Sequence, residues 1–318
     1  MQSLDRLSTY FKEKERKRLD AITRESRDGL PEMTVDEIKL SCLENDGYET
    51  PELNDKIYLH FRGFKKIDNL NNYTGCKSLW LDSNGFERIE NLDALIQLRC
   101  LYISKNLINK IENLNTLVNL TILDLSYNRI HTIDNLSCCP NLQTLNISHN
   151  QLSNIESIEH LQYCLQLNNI DLTNNRLIND ENMIQIFTKI PSLTSLSVNG
   201  NEITKMSHFR KKMVASLSPR LSYLDRPIDD LERVTSAAFI RGGPEAENIA
   251  RQTYRDAQVL YTIIFTSLTI TICHIICITH IYSLLQYYIM LYIKPRRRSA
   301  RTKPRSSEHG NALTVKPA

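Results

Sequence analysis

The chain has 318 residues, 24% of them charged, with a formal net charge of +3. Much of the positive excess lies in the last 25 residues, where Lys294, Arg296, Arg297, Arg298, Arg301, Lys303, Arg305 and Lys316 face only Glu308. The remainder is near neutral or acidic, which excludes a case for nucleic-acid binding by the body of the chain.

In chain order, residues 1–33 are strongly charged and poor in large apolar side chains, the composition of a disordered leader, and they lack the apolar stretch of a signal peptide. Thr34 followed three residues later by Glu37, ahead of Ile38, Leu40 and Leu43, has the pattern of a capping box and predicts a short helix within an N-terminal cap over 34–56.

From residue 57 to 205 the pattern L-x-L-x-x-N-x-[ILF]-x-x-[IM] recurs. Its asparagine falls at Asn84, Asn106, Asn128 and Asn150, steps of 22, then at Asn175 and Asn201 after steps of 25 and 26. This spacing predicts an α/β fold of the leucine-rich-repeat solenoid class, with 22-residue repeats and parallel strands on the concave face. An edge unit precedes the first full repeat, with Arg62 at the asparagine position. The asparagines are expected to turn inward and satisfy backbone groups in the bend after each strand. A second periodic feature, Ile67-Asp68-Asn69-Leu70 and its copies at Ile89, Ile111 and Ile133, stacks acid on acid. We read its acids and asparagines as caps of short helical turns on the convex side.

After the array, a C-terminal cap is expected over 206–230 and a polar helix over 231–257. The segment 258–293 is hydrophobic, and from Val259 to Ile293 it holds no Asp, Glu, Lys or Arg. That run is longer than the roughly 20 residues that cross a bilayer. Ten Ile, five Thr and five Tyr without Ala or Gly are an unusual membrane composition, so two readings stay open: an anchor, and translated non-coding sequence. A basic tail, 294–318, closes the chain.

Eight cysteines show no C-x-x-C spacing within the array and no cluster at its ends, which favours a reducing compartment over disulfide caps or zinc. Sequons at Asn72, Asn119, Asn135 and Asn146 read as chance matches in so Asn-rich a chain. No nucleophile elbow, phosphate-cradling loop or catalytic histidine pattern appears, so neither enzymatic activity nor a cofactor is expected. The candidate site is a protein-binding concave face carrying Tyr58, His60, Trp80, Asp82, Tyr102, Asp124 and Asn146. It is aromatic at one end, and the flanking column continues through Ser104, Ser126 and Ser148.

Several stretches go beyond the generic repeat: Leu53-Asn54-Asp55 with Tyr58-Leu59-His60, Tyr73-Thr74-Gly75 before Leu79-Trp80-Leu81, Tyr223-Leu224-Asp225-Arg226-Pro227, and Arg241-Gly242-Gly243. On these, Met33 to about Arg255 resembles the dynein axonemal assembly factor 1 family. The resemblance implies a non-enzymatic, cytoplasmic, cilium-associated scaffold for preassembly of dynein arms, with dynein subunits and chaperone machinery as partners. Two other classes fit the repeats alone: a phosphatase-regulator-like scaffold and a membrane-anchored repeat receptor.

Overall fold

The computed structural model describes residues 31–292, so nearly all of the charged leader and the whole basic tail lie outside the described residues. The chain divides into two units that meet at Tyr254 and Arg255.

The first unit is a solenoid. Seven three-residue strands, β1 (Lys56–Tyr58), β2 (Ser78–Trp80), β3 (Cys100–Tyr102), β4 (Ile122–Asp124), β5 (Thr144–Asn146), β6 (Asn169–Asp171) and β7 (Ser195–Ser197), pair in parallel in chain order. The short strand β8 (Tyr223–Leu224) extends the parallel run, and β9 (Arg226–Pro227) turns back antiparallel to it. Equivalent repeat positions face each other, as in Leu79↔Leu101 and Leu101↔Leu123. The central residue of every strand from Ile57 to Leu196 therefore joins one column, no member of which is more than 2% exposed. A second buried column runs from Leu59 through Leu81, Ile103 and Leu125 to Val198. Each such side chain contributes roughly 1.5–3 kcal/mol of burial, but only with a neighbouring turn present to bury it against.

The convex side departs from the expectation of helical turns. Between β1 and β5 the chain forms successive tight turns, such as Leu95 N–H to the Leu92 carbonyl (3.0 Å) and Leu98 N–H to the Leu95 carbonyl (2.9 Å), and no helix. Asn69, Asn91, Asn113 and Asn135 are left-handed, with φ between 57° and 61°. The side-chain amides of Asn91, Asn113 and Asn135 donate to Ile67, Ile89 and Ile111 carbonyls one turn back, at 2.6–2.8 Å. A 22-residue circuit leaves too little chain for a helix, so asparagine ties turn to turn instead. Where the steps lengthen, helices do appear: a 3-10 turn at Glu159–Tyr163 and α2 (Asn182–Thr188).

The acid column is relieved across turns at Arg88, whose Nε lies 2.9 Å from Glu112 Oε1, while His160 accepts from Leu136 N–H through Nε2 at 3.1 Å and turns Nδ1 toward Asp134 Oδ1 at 3.6 Å.

At the N-terminal end, α1 (Val35–Glu44) has Thr34 as its cap, whose Oγ1 accepts from Glu37 N–H at 3.2 Å. The reciprocal half of the capping box is missing, because the Glu37 carboxylate lies 3.4 Å from Arg62 Nη1. Glu44 pairs with the same guanidinium at 3.0 Å. Arg62 thus replaces asparagine at the one turn whose neighbour is a helix bearing carboxylates.

At the other end α3 (Phe209–Ser216) covers the last turn. Arg210 gathers this cap, reaching Glu232 with Nε (2.5 Å) and Nη2 (2.8 Å) while donating to the Leu224 and Pro227 carbonyls. Helix α4 runs Asp230–Tyr292, capped by Asp229, whose Oδ1 accepts from Glu232 N–H at 2.6 Å. It starts ahead of the stretch read as polar helix and is broken at Gly242 and Gly243, the latter at φ 68° and ψ −158°. Past the break, Lys211 and Arg251 both pair with Glu247.

Described by itself, the second unit from Arg255 is helical to Tyr292, and from Val259 to Tyr287 its large apolar side chains are exposed, Ile272 by 50% and Tyr282 by 69%. By length and composition this helix is sufficient to cross a membrane.

Candidate functional site: the concave face

Alternation along each strand sends the residues flanking the buried central one to the concave surface. Tyr58, Trp80, Tyr102, Asp124, Asn146, Asp171 and Ser197 consequently sit in one register column, all partly exposed. The first three rings form a continuous stack. Tyr58 and Trp80 have centroids 4.4 Å apart with planes 19° apart, and Trp80 and Tyr102 follow at 5.2 Å and 14°. These separations match the strand spacing of about 4.8 Å, so the sheet itself sets the stacking distance. Burial, first among the causes, raises the Tyr102 hydroxyl pKa above the ordinary phenol value, and neighbouring Cys100, Asp124 and Asp82 add to it. His60 meets Tyr58 edge-on at 6.3 Å and lies beside Phe61, whose ring is 73% exposed.

Beyond Tyr102 the column becomes polar and internally fixed. Asp124 Oδ1 accepts from Ser126 N–H (2.9 Å), and its Oδ2 accepts from Asn146 Nδ2 (3.1 Å). Asp171 Oδ1 accepts from Thr173 N–H (2.9 Å), and Asp82 Oδ1 reaches across a turn to Ser104 N–H (2.8 Å). Asp82 and Asp171 are each held through Oδ1, whereas Asp124 is held through both oxygens. The flanking column is less open than alternation predicts, since Ser126 and Ser148 are buried. Small hydroxyls there fold against the neighbouring column, as when Ser148 Oγ donates to Asn146 Oδ1 at 2.8 Å.

Behind this surface lies the repeat asparagine. Asn128 Nδ2 donates to the Ile103, Leu125 and Ser126 carbonyls at 3.0–3.2 Å, and its Oδ1 accepts from Ile108 N–H at 3.0 Å. Asn84, Asn106, Asn150, Asn175 and Asn201 repeat the arrangement, and all but Asn84 are buried. These side chains hold the strands that carry the site and take no part in its surface.

A feature of the same face escaped the sequence reading. The residue just before each repeat asparagine is left-handed and projects beside the strand: Ser83, Lys105, Tyr127, His149 and Asn174 all have φ of 53–56°. Tyr127 and His149 stack there with centroids 3.9 Å apart, Lys105 Nζ lies 5.8 Å from the Tyr127 ring, and Asn174 Nδ2 is 3.0 Å from His149 Nε2. The signal was available, because the first four positions are 22 residues apart, but alternation ends at this bend and gives no rule for where they point.

Cys42 of the N-terminal cap and Cys76 of the array are core side chains. Burial pushes the Cys42 thiol up to about 11 and the Cys76 thiol up to about 12, so both stay protonated as small core side chains. Three sequon asparagines have their amides engaged: Asn119 with the Ile96 carbonyl, Asn135 with Ile111, and Asn146 with Asp124.

Comparison with known proteins agrees with this architecture. Residues 118–163 match the family model described as Leucine Rich repeats (2 copies). Dynein axonemal assembly factor 1 of Rattus norvegicus is 54% identical over 239 residues, covering 74% of this chain and 37% of that protein. Leucine-rich repeat-containing protein ODA7 of Chlamydomonas reinhardtii is 48% identical over 228 residues, covering 71% of this chain and 52% of its own length. Among solved structures, the functional domain of InlJ from Listeria monocytogenes aligns with a TM-score of 0.43 at 18% identity, covering 58% of this chain and 43% of that one. The chain thus spans about a third of the length of the first of these relatives and about half of the second. An identity of about half, sustained across a solenoid whose repeat consensus constrains only the buried columns and the asparagines, places the chain in the dynein axonemal assembly factor 1 family.

Proposed function

We propose that this chain is a non-enzymatic scaffold for assembly of axonemal dynein arms, acting in the cytoplasm of ciliated or flagellated cells. Its partners are dynein subunits and the chaperone machinery that handles them. The observation that carries the reading is the sustained identity to proteins named as dynein axonemal assembly factors. The concave face supplies a physical means. Three stacked rings on a rigid sheet bury large area on contact and lose little side-chain entropy, the combination typical of binding hot spots.

Depletion should leave cilia present but short of outer and inner arms when cross-sections are viewed by electron microscopy. Normal arms with normal beating would sink the proposal. So would recovery of the protein only as a fixed axonemal component.

A further inference from the structure

The concave face is divided by charge, and the division identifies the chemistry of what it fits. In the first three turns the strand positions and their flanks carry four cations, Lys56, Lys77, Arg99 and Lys105, against two carboxylates, Asp55 and Asp82. In the next four turns the same positions carry no Lys or Arg, and their only charges are Asp124 and Asp171. Lys56 and Arg99 make no ion pair among the described residues, and Lys77 approaches Asp55 only at 3.9 Å. The aromatic ladder adds to the positive end. Its rings cover one another face to face, so what they offer outward is mainly edges, the electropositive part of an aromatic ring. A cation-binding cage needs open faces, and this stack has them only at its two ends. The carboxylate end is preset, because Asp124 and Asp171 are each anchored through Oδ1 to a backbone N–H.

We propose that the concave face binds a polypeptide segment in which acidic residues and Lys/Arg residues are segregated, the acidic part against the aromatic ladder and the basic part against Asp124 and Asp171. The inference rests on the reading of this face as a partner surface and adds what the partner must carry there. From Trp80 to Asp171 is four strand steps, about 19 Å, which roughly six extended residues or thirteen helical ones span. Charge segregation also orients the segment, since the reverse placement sets like charges against each other at both ends.

Trp80 is the single tryptophan, so intrinsic fluorescence of the full chain reports this face directly. The probes are two peptides of about sixteen residues, longer than the span requires, with identical composition: Glu and Lys in two blocks around one Phe, or Glu and Lys alternating around it. The block peptide should perturb Trp80 emission at a concentration about tenfold lower, with the advantage shrinking as salt is raised. Asp124→Lys with Asp171→Lys, and separately Lys77→Glu with Arg99→Glu, should each erase the advantage while circular dichroism stays that of the unaltered chain. Equal response to both peptides, no response to either, or a block preference that survives both double variants overturns the inference. Failure of the partner-surface reading is separately visible, because dynein subunits would then be captured equally well by a Trp80→Ala, Tyr102→Ala chain.

Discussion

Trp80 and Asn128 occupy repeat positions four residues apart, two turns from each other, and do opposite work. Trp80 and Tyr102 project from the sheet, so Trp80→Ala with Tyr102→Ala should leave the circular dichroism and melting temperature near those of the unaltered chain while weakening capture of dynein subunits. Hot-spot losses are typically about 2 kcal/mol or more. Unchanged capture would show that the rings only cover the sheet. Asn128→Leu should do the reverse: it strands the Ile103 and Leu125 carbonyls and the Ile108 N–H, at a cost of about 1–3 kcal/mol. A urea midpoint equal to that of the unaltered chain would refute the role given to this side chain. The asparagine is legible from sequence because one residue meets the same backbone geometry in every turn. The buried Ser126 and Ser148 are not, since alternation states which way a side chain leaves the strand and nothing about what lies over it.

At the scale of elements, the two caps are held by charge, and each makes a different prediction. At the N-terminal end the approach is also steric. A Cβ on Gly75 would lie 2.1 Å from the Glu52 carbonyl oxygen, so Gly75→Ala must push the cap loop off the first turn. Faster proteolysis between residues 45 and 55 is the expected result, and an unaltered cleavage rate would contradict it. At the C-terminal end Glu247 holds Lys211 and Arg251, and the Lys211 hydrogen bond leads in lowering its pKa. A carboxylate depressed in the folded state stabilises above its unfolded pKa, and that contribution disappears as pH falls through the folded value. Protection of amide hydrogens in the segment after Gly243 should therefore weaken on acidification below the ordinary carboxylate range. Glu247→Gln should remove that pH dependence, and a dependence that persists in the variant would assign it to another group. Sequence marked both caps but not their fastenings, because Glu37, Glu44 and Arg62 are brought together only when α1 lies on the first strand.

For the whole molecule, the buried columns end at Leu224 and the cap is tied through Arg210, so the repeats complete their core without the apolar run. A chain ending at Asp256 is expected to be soluble and to unfold in one cooperative transition, whereas the full chain should require detergent, given apolar side chains exposed along the helix from Val259. Misfolding of the shorter chain, with the full chain soluble unaided, would mean that the run packs as part of the fold.

What sequence by itself determined is what repetition determines: the parallel strands, their register, the buried columns and the asparagine row follow from a 22-residue period that presents each turn with an identical neighbour. The family followed from residues between those fixed positions, where the repeat imposes nothing. Tertiary structure decided everything that depends on juxtaposition across turns. It closed the aromatic rings into a stack at strand spacing, tied the convex asparagines back to the preceding turn in place of helices, and set left-handed Tyr127 and His149 face to face. It also left the cationic and acidic halves of the concave face facing solvent side by side. The physical reason is that a period specifies which residue follows which, whereas side-chain contacts depend on the distance between turns, and that distance exists only once the chain has coiled.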